Sequence, residues 1–229
     1  MPRRVSVPTL LAASFTAAAA LAAPVSPSGW IEVKISEDKR PTVYREVREH
    51  GHAVVHAVAE ASASGLGRKA DFDLKDRPLL SWRWKVSRLI PGADNAVGNR
   101  EDSPARVILA FDGDVEKLPL RDRTVIRMSE KLSGRKLPYA TLMYVWANRA
   151  PVDTVIENPH TRRVQMIVVS SGEAGVGRWQ TVARDVVADY KHAFGTEPGR
   201  LLAYGVMTDT DNTGETAEAW YADLKFRAR

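Results

Sequence analysis

From Leu80 to Val86 the chain alternates without a break. Leu80, Trp82, Trp84 and Val86 fall on one parity, and Ser81, Arg83 and Lys85 fall on the other. That is the two-residue period of a half-buried β-strand. The same period returns repeatedly. Ile31, Val33 and Ile35 share a face, and Ala70, Phe72 and Leu74 alternate with Asp71 and Asp73. Near the end, Trp220, Ala222, Leu224 and Phe226 are expected on one face, with Tyr221, Asp223 and Lys225 on the other. Val43 to Val47 and Ala53 to Ala59 read as strands around a turn at His50-Gly51-His52. Arg106–Phe111, Thr141–Trp146, Val164–Val169 and Trp179–Ala183 add further strands. Ser62–Gly67 reads as a glycine turn, and Pro151–Arg163 as a polar connection.

Two stretches depart from this period. Val125, Met128 and Leu132 are spaced for a helix over about Leu120 to Leu132, with Gly134 as its cap and Arg121, Arg123, Arg127 and Lys131 on its exposed face. Asp185 is suited to N-cap a shorter helix carrying Val186, Tyr190 and Phe194, which Gly195 ends. Many short strands, turns between them and two helices, one medium and one short, predict a mainly β chain. The expectation is a single jelly-roll-like β-sandwich over residues 30–229.

The first residues are not part of that domain. Arg3 and Arg4 precede an Ala-rich apolar run from Leu10 to Leu21, followed by Ala20-Leu21-Ala22 and Pro24. This pattern predicts a signal peptide over 1–23, cleaved near Ala22/Ala23, a linker over 24–29, and a periplasmic or secreted product. The run is short for a bilayer span, and no later run is long enough. The chain has no cysteine, so packing rather than disulfides must hold it. Removing Arg3 and Arg4 from the 33 basic residues leaves 31 against 28 acidic ones. The charges are interspersed, and no basic run suggests a nucleic-acid partner.

Several segments taken together resemble a bacterial family of exported proteins known as DUF3047. They are Leu80–Val86, Ala105–Asp112, Leu137–Asn148, Arg184–Tyr190 with Ala193-Phe194-Gly195, and Thr208–Glu215 with Tyr221–Phe226. The resemblance implies a periplasmic protein and carries no established activity. The closing strand is also similar to the last strand of jelly-roll carbohydrate-binding modules, at the level of fold only.

No nucleophile elbow, phosphate-cradling loop or dinucleotide fingerprint is present. The function expected is therefore a non-catalytic binding or envelope-associated module for a glycan or another small polar ligand. Two alternatives stand beside it: a glycan-acting hydrolase or lyase, and a structural envelope protein. Trp179, beside a glycine-rich loop, is the candidate exposed aromatic, whereas the parity of Trp82, Trp84 and Trp220 assigns them to the core. Arg106 opens a strand after the polar Pro91–Pro104 loop and needs a carboxylate if it points inward, from Asp102 or Asp209. Trp179, Arg106, Asp102 and Glu215 form the candidate ligand set. Asp209, Asp211, Asn212 and Glu215 crowd a turn between two strands. Their oxygens suit Ca²⁺, Glu215 with Asp209 or Asp211 is the candidate acid/base pair, and Asx-type capping of a hairpin explains the same residues without a metal. His50, His52 and His56 share a parity, but Gly51 interrupts the face a zinc site would need.

Overall fold

The computed structural model describes residues 27–133 and 137–229, with the side chains of 129, 132 and 133 undescribed. The expected signal peptide over 1–23 and the Gly134 cap lie outside those residues. Two sheets face each other. The larger has seven strands, in the order β1 (Ile31–Lys34), β4 (Ala63–Phe72), β11 (Leu201–Asp209), β6 (Ser103–Phe111), β7 (Ala140–Ala147), β9 (Val164–Ser171) and β8 (Val155–Glu157). The smaller has five: β10 (Gln180–Asp185), β5 (Leu79–Val86), β12 (Thr216–Arg227), β3 (His52–Glu60) and β2 (Val43–Glu49). Neighbours are antiparallel except β7 and β9, which run parallel. The chain crosses repeatedly between sheets, as a jelly-roll-like sandwich requires. Two helices complete it, α1 (Leu120–Ser133) and α2 (Val186–Phe194).

The main core lies between the sheets, built from the inward parity of most strands. On β5, Leu80, Trp82, Trp84 and Val86 are essentially sealed. Trp82 stacks on Tyr144 of β7 at 5.1 Å between ring centroids, and Trp84 lies 6.0 Å from Trp146. Aromatics of this size supply most of the apolar area that closes a sandwich without disulfides. Asp185 caps α2 as expected, accepting from the N–H groups of Val187 and Ala188, and Gly195 ends it at φ 71°.

Ser62–Gly67 is not a turn but runs into β4. Its glycines serve close approach rather than bending: Gly67 lies opposite Gly205 of β11, and a Cβ on Gly205 would sit 2.3 Å from the Leu66 carbonyl oxygen. The run from Leu202 to Phe226 is not a hairpin either. β11 belongs to the seven-stranded sheet and β12 to the five-stranded one, so the acidic turn carries the chain from one sheet to the other. Ile31, Val33 and Ile35 are exposed on or next to the edge strand β1. Helix α1 forms where expected but buries Ile126, leaving Val125 and Met128 in solvent. The Pro151–Arg163 connection contains the short strand β8.

Candidate functional site

The outward face of the five-stranded sheet carries two half-buried tryptophans among charged side chains. Its pairing sets one row across four strands: Lys85 on β5, Trp220 on β12, His56 on β3 and Arg45 on β2. Trp220 therefore stands between two neighbours. The His56 ring stacks on it at 4.7 Å, and the Lys85 ammonium lies 4.4 Å from its centroid.

The expected core position of Trp220 is thus corrected, and the cause is a β-bulge. Register along β12 shifts between Ala222 and Lys225, and Asp223 takes a positive φ of 58°. The extra residue reverses parity. Before it, Ala217, Ala219 and Tyr221 face the core; beyond it, Leu224 and Phe226 do. Trp220 belongs to the first segment and points outward.

Trp179, just before β10, rests on the same face. Arg83 and Lys85 lie 5.0 and 5.3 Å from its ring centroid. Its indole N–H donates to Glu49 Oε2 at 3.0 Å, and Lys85 Nζ donates to Glu49 Oε1 at 2.8 Å. Glu49 is three strands away from Lys85 and four residues beyond the shared row. In a flat sheet that is about 20 Å, from ~4.8 Å per strand and ~3.4 Å per residue. The contact therefore needs a coiled sheet, with the end of the β2–β3 hairpin folded over the face. His50 and Gly51 make that hairpin tight, both with positive φ, as a two-residue turn requires.

Most charges of this face are paired within it. Arg83 meets Asp223 at 2.8 Å, His56 meets Glu218 at 3.0 Å, and Arg40 meets Glu60 at 3.0 Å. The Lys85 hydrogen bond holds the Glu49 carboxyl below its ordinary range, and Arg83 does the same for Asp223. Toward β2 the face opens into a groove of about 240 Å³ lined by Arg40, Val43, Arg45, Val58 and Glu60.

The candidates on the acidic turn lie elsewhere. Arg106 is 2% exposed and points inward as expected. Its guanidinium holds Asp209 through two bonds, at 2.8 and 2.9 Å, and meets Glu101 Oε1 at 3.0 Å and the Glu101 carbonyl. Of the two partners expected, Asp209 is the one found. Asp102 instead accepts from Asn212 N–H, Thr213 N–H and the Thr213 hydroxyl. Burial pushes the Asp209 carboxyl up to about 7, against the pull of Arg106 and with the help of Asp102 and Glu101. Burial also opposes the Arg106 charge, but Asp209 and Glu101 outweigh it and hold the guanidinium well above its ordinary value. The cluster thus favours the charged guanidinium and disfavours the charged Asp209 carboxylate, because one guanidinium faces several carboxyls.

Oxygens of Asp102, Asp209 and Asp211 come within 4.8 Å of one another. Each carboxylate is already engaged, Asp209 by Arg106, Asp102 by the turn, and Asp211 by Lys39 at 2.5 Å. Asn212 donates to the Gly98 carbonyl. Glu215 sits half-buried at the end of the turn, outside this carboxylate group. The arrangement ties the turn to the Pro91–Pro104 loop by donors aimed at carboxylates, the work a cation would otherwise do.

Fold and face together define a two-sheet β-sandwich with a curled outer face carrying two tryptophans and self-paired ions. The chain belongs to the DUF3047 family, described as a protein of unknown function, whose model matches residues 28–225. No relative is found among curated proteins. Three solved structures are similar to this chain. One is the xyloglucanase domain of NopAA, a type three effector from Sinorhizobium fredii in complex with cellobiose. It has 9% identity and a TM-score of 0.44, covering 90% of this chain and 96% of that one. Another is described as CBM4 structure and function, with 10% identity and a TM-score of 0.35, covering 89% and 96%. The third is Endoglucanase 3 of family GH12 from Trichoderma harzianum, with 9% identity and a TM-score of 0.41, covering 82% and 83%.

Proposed function

We propose that this protein is a periplasmic, non-catalytic module that binds a neutral carbohydrate across the outer face of its five-stranded sheet. The observation that carries this reading is the setting of Trp179. Its ring rests on Arg83 and Lys85, and its N–H is held by Glu49. A ring fixed in this way loses little freedom when a ligand arrives. Its outer face is the platform on which a sugar ring stacks.

The paired ions argue for a neutral ligand. Arg40, Arg83 and Lys85 each have an acidic partner on the face and His56 shares a hydrogen bond with Glu218, so apart from Arg45 little charge there calls for a counter-charge. Their remaining donors and lone pairs still offer fixed hydrogen bonds, which suit hydroxyl groups. The groove beside Arg45 and Val58 gives a chain of several sugar units room to continue toward β2. The residues 1–23 pattern supports export to the periplasm, where the module would meet envelope or extracellular glycans. A non-catalytic role is favoured because the carboxyl that burial raises, Asp209, is 4% exposed and clamped by Arg106. It cannot reach a glycosidic oxygen, as a general acid must.

The test is a panel of neutral and acidic oligosaccharides, with binding followed by calorimetry and tryptophan fluorescence. A neutral oligosaccharide should bind, and Trp179→Ala should weaken it at least tenfold while leaving the melting temperature within a few degrees. Binding that is indifferent to Trp179→Ala would refute the site. Release of new reducing ends from a bound glycan would refute the non-catalytic role.

A further inference from the structure

Helix α1 presents an unusual outward face. Among the described side chains it buries Ile126 at 2% exposure, while Leu120, Val125 and Met128 stand 70%, 46% and 55% exposed. At about 100° per residue, Leu120, Arg121, Thr124, Val125, Met128 and Lys131 share one arc of roughly 140° pointing away from the sandwich. That arc is apolar and basic and holds no acidic residue. The acids of the helix, Asp122 and Glu130, fall on the opposite arc around Ile126. Asp122 there lies near enough to Arg163 to support its charge. On the flank, Arg123 and Arg127 both pair with Glu116, at 3.1 and 2.7 Å.

A helix exposed only by chance would turn its polar residues outward. This one keeps its acids off that arc and sets apolar side chains among cations there, over a length of about 21 Å. We propose that α1 docks on an anionic lipid bilayer. Leu120, Val125 and Met128 would enter the boundary between headgroups and acyl chains, and Arg121 and Lys131 would meet lipid phosphates. Charge complementarity selects this occupant, since a neutral bilayer or an apolar protein groove would give the two cations nothing to pair with. The contact is peripheral: no helix of the described residues is long and apolar enough to cross a membrane.

The experiment is co-sedimentation of the purified protein with vesicles of equal parts phosphatidylglycerol and phosphatidylcholine, and with phosphatidylcholine alone. Residues 1–23 are identical in every arm, so differences between variants report on α1. The protein should bind the anionic vesicles, far less the neutral ones, and less as salt rises. Arg121→Gln with Lys131→Gln should weaken binding about 25-fold, at about fivefold per cation. Leu120→Glu with Met128→Glu should abolish it. Both positions are exposed, and circular dichroism should show both double variants folded. Equal sedimentation of the wild type and the Leu120→Glu/Met128→Glu variant would overturn the proposal. So would a concentration-dependent dimer that this variant dissolves, which would assign the face to a second copy of the chain.

Discussion

Removing Arg106 should expose how much the buried ion cluster costs when its cation is lost. The side chains of Arg106 and Asp209 are 2% and 6% exposed, and that of Glu101 is 13% exposed. Arg106→Met keeps much of the volume but leaves Glu101 and Asp209, with Asp102 nearby, facing one another without a cation. Breaking a buried pair from one side costs about 3–5 kcal/mol. For a chain of this size that is roughly 6–20 °C in melting temperature, at about 2–4 °C per kcal/mol. The loss should also depend on pH. Burial already holds the folded-state pKa of Asp209 at about 7 with Arg106 present, above the ~3.9 of an unfolded chain. A raised carboxyl contributes stability that is complete below the unfolded value and is lost as pH rises through the folded one. Without Arg106 the folded value climbs further. The deficit of the variant relative to wild type should therefore be largest near pH 8 and shrink toward pH 5. Thermal unfolding by circular dichroism across that range measures it. A deficit below about 1 kcal/mol at pH 8, or one that grows on acidification, would refute this account of the cluster.

Three further outcomes follow from the geometry. Gly205→Ala places a Cβ 2.3 Å from the Leu66 carbonyl oxygen in the middle of the large sheet and should cost about 3 kcal/mol or more, at the upper end of overpacking. Gly195→Ala meets no atom within 4 Å but must hold φ 71°, so chemical denaturation should show a loss of only about 1 kcal/mol. Glu49, whose carboxyl Lys85 holds low, contributes stability above its unfolded pKa that is lost as pH falls through the folded value. Glu49→Gln should therefore flatten the acid side of the melting profile and alter the fluorescence of Trp179; an unchanged profile would mean that the Glu49–Lys85–Trp179 contacts do not persist in solution.

The strands were legible because their period was clean, and the places where the reading failed share a cause. Alternation on β5 predicted each buried residue from Leu80 to Val86. On β12 the same rule placed Trp220 inside, because a bulge adds a residue without leaving a mark in the pattern. Ala222 is small enough to suit either face, and Asp223 takes a left-handed conformation that aspartate tolerates without announcing. The glycines of β4 misled in the opposite way. Glycine was read as a turn residue, yet Gly67 lies opposite Gly205 because two backbones approach closely there. On helix α1 the spacing gives the bounds to within a residue, but periodicity alone does not say which side of a helix the core lies on.

The acidic turn shows why residue chemistry alone does not locate a function. Carboxylates crowded at 209–215 suit a metal, a catalytic pair or a structural brace, and the sequence leaves all three open. What separates them is the partners the turn finds, all of them far earlier in the chain. Arg106 takes Asp209, while Asp102 receives the N–H groups of Asn212 and Thr213. The turn must cross from one sheet to the other, and these bonds anchor it at the crossing to the Pro91–Pro104 loop. The outer-face tryptophans are defined in the same non-local way. Trp179 is set by Glu49 from the far strand, and Trp220 by a bulge three residues on. Both sites depend on how the strands coil and cross. A change to the coil of the five-stranded sheet, such as loosening the His50–Gly51 turn, should therefore disturb the Trp179 platform while leaving the Arg106 cluster intact.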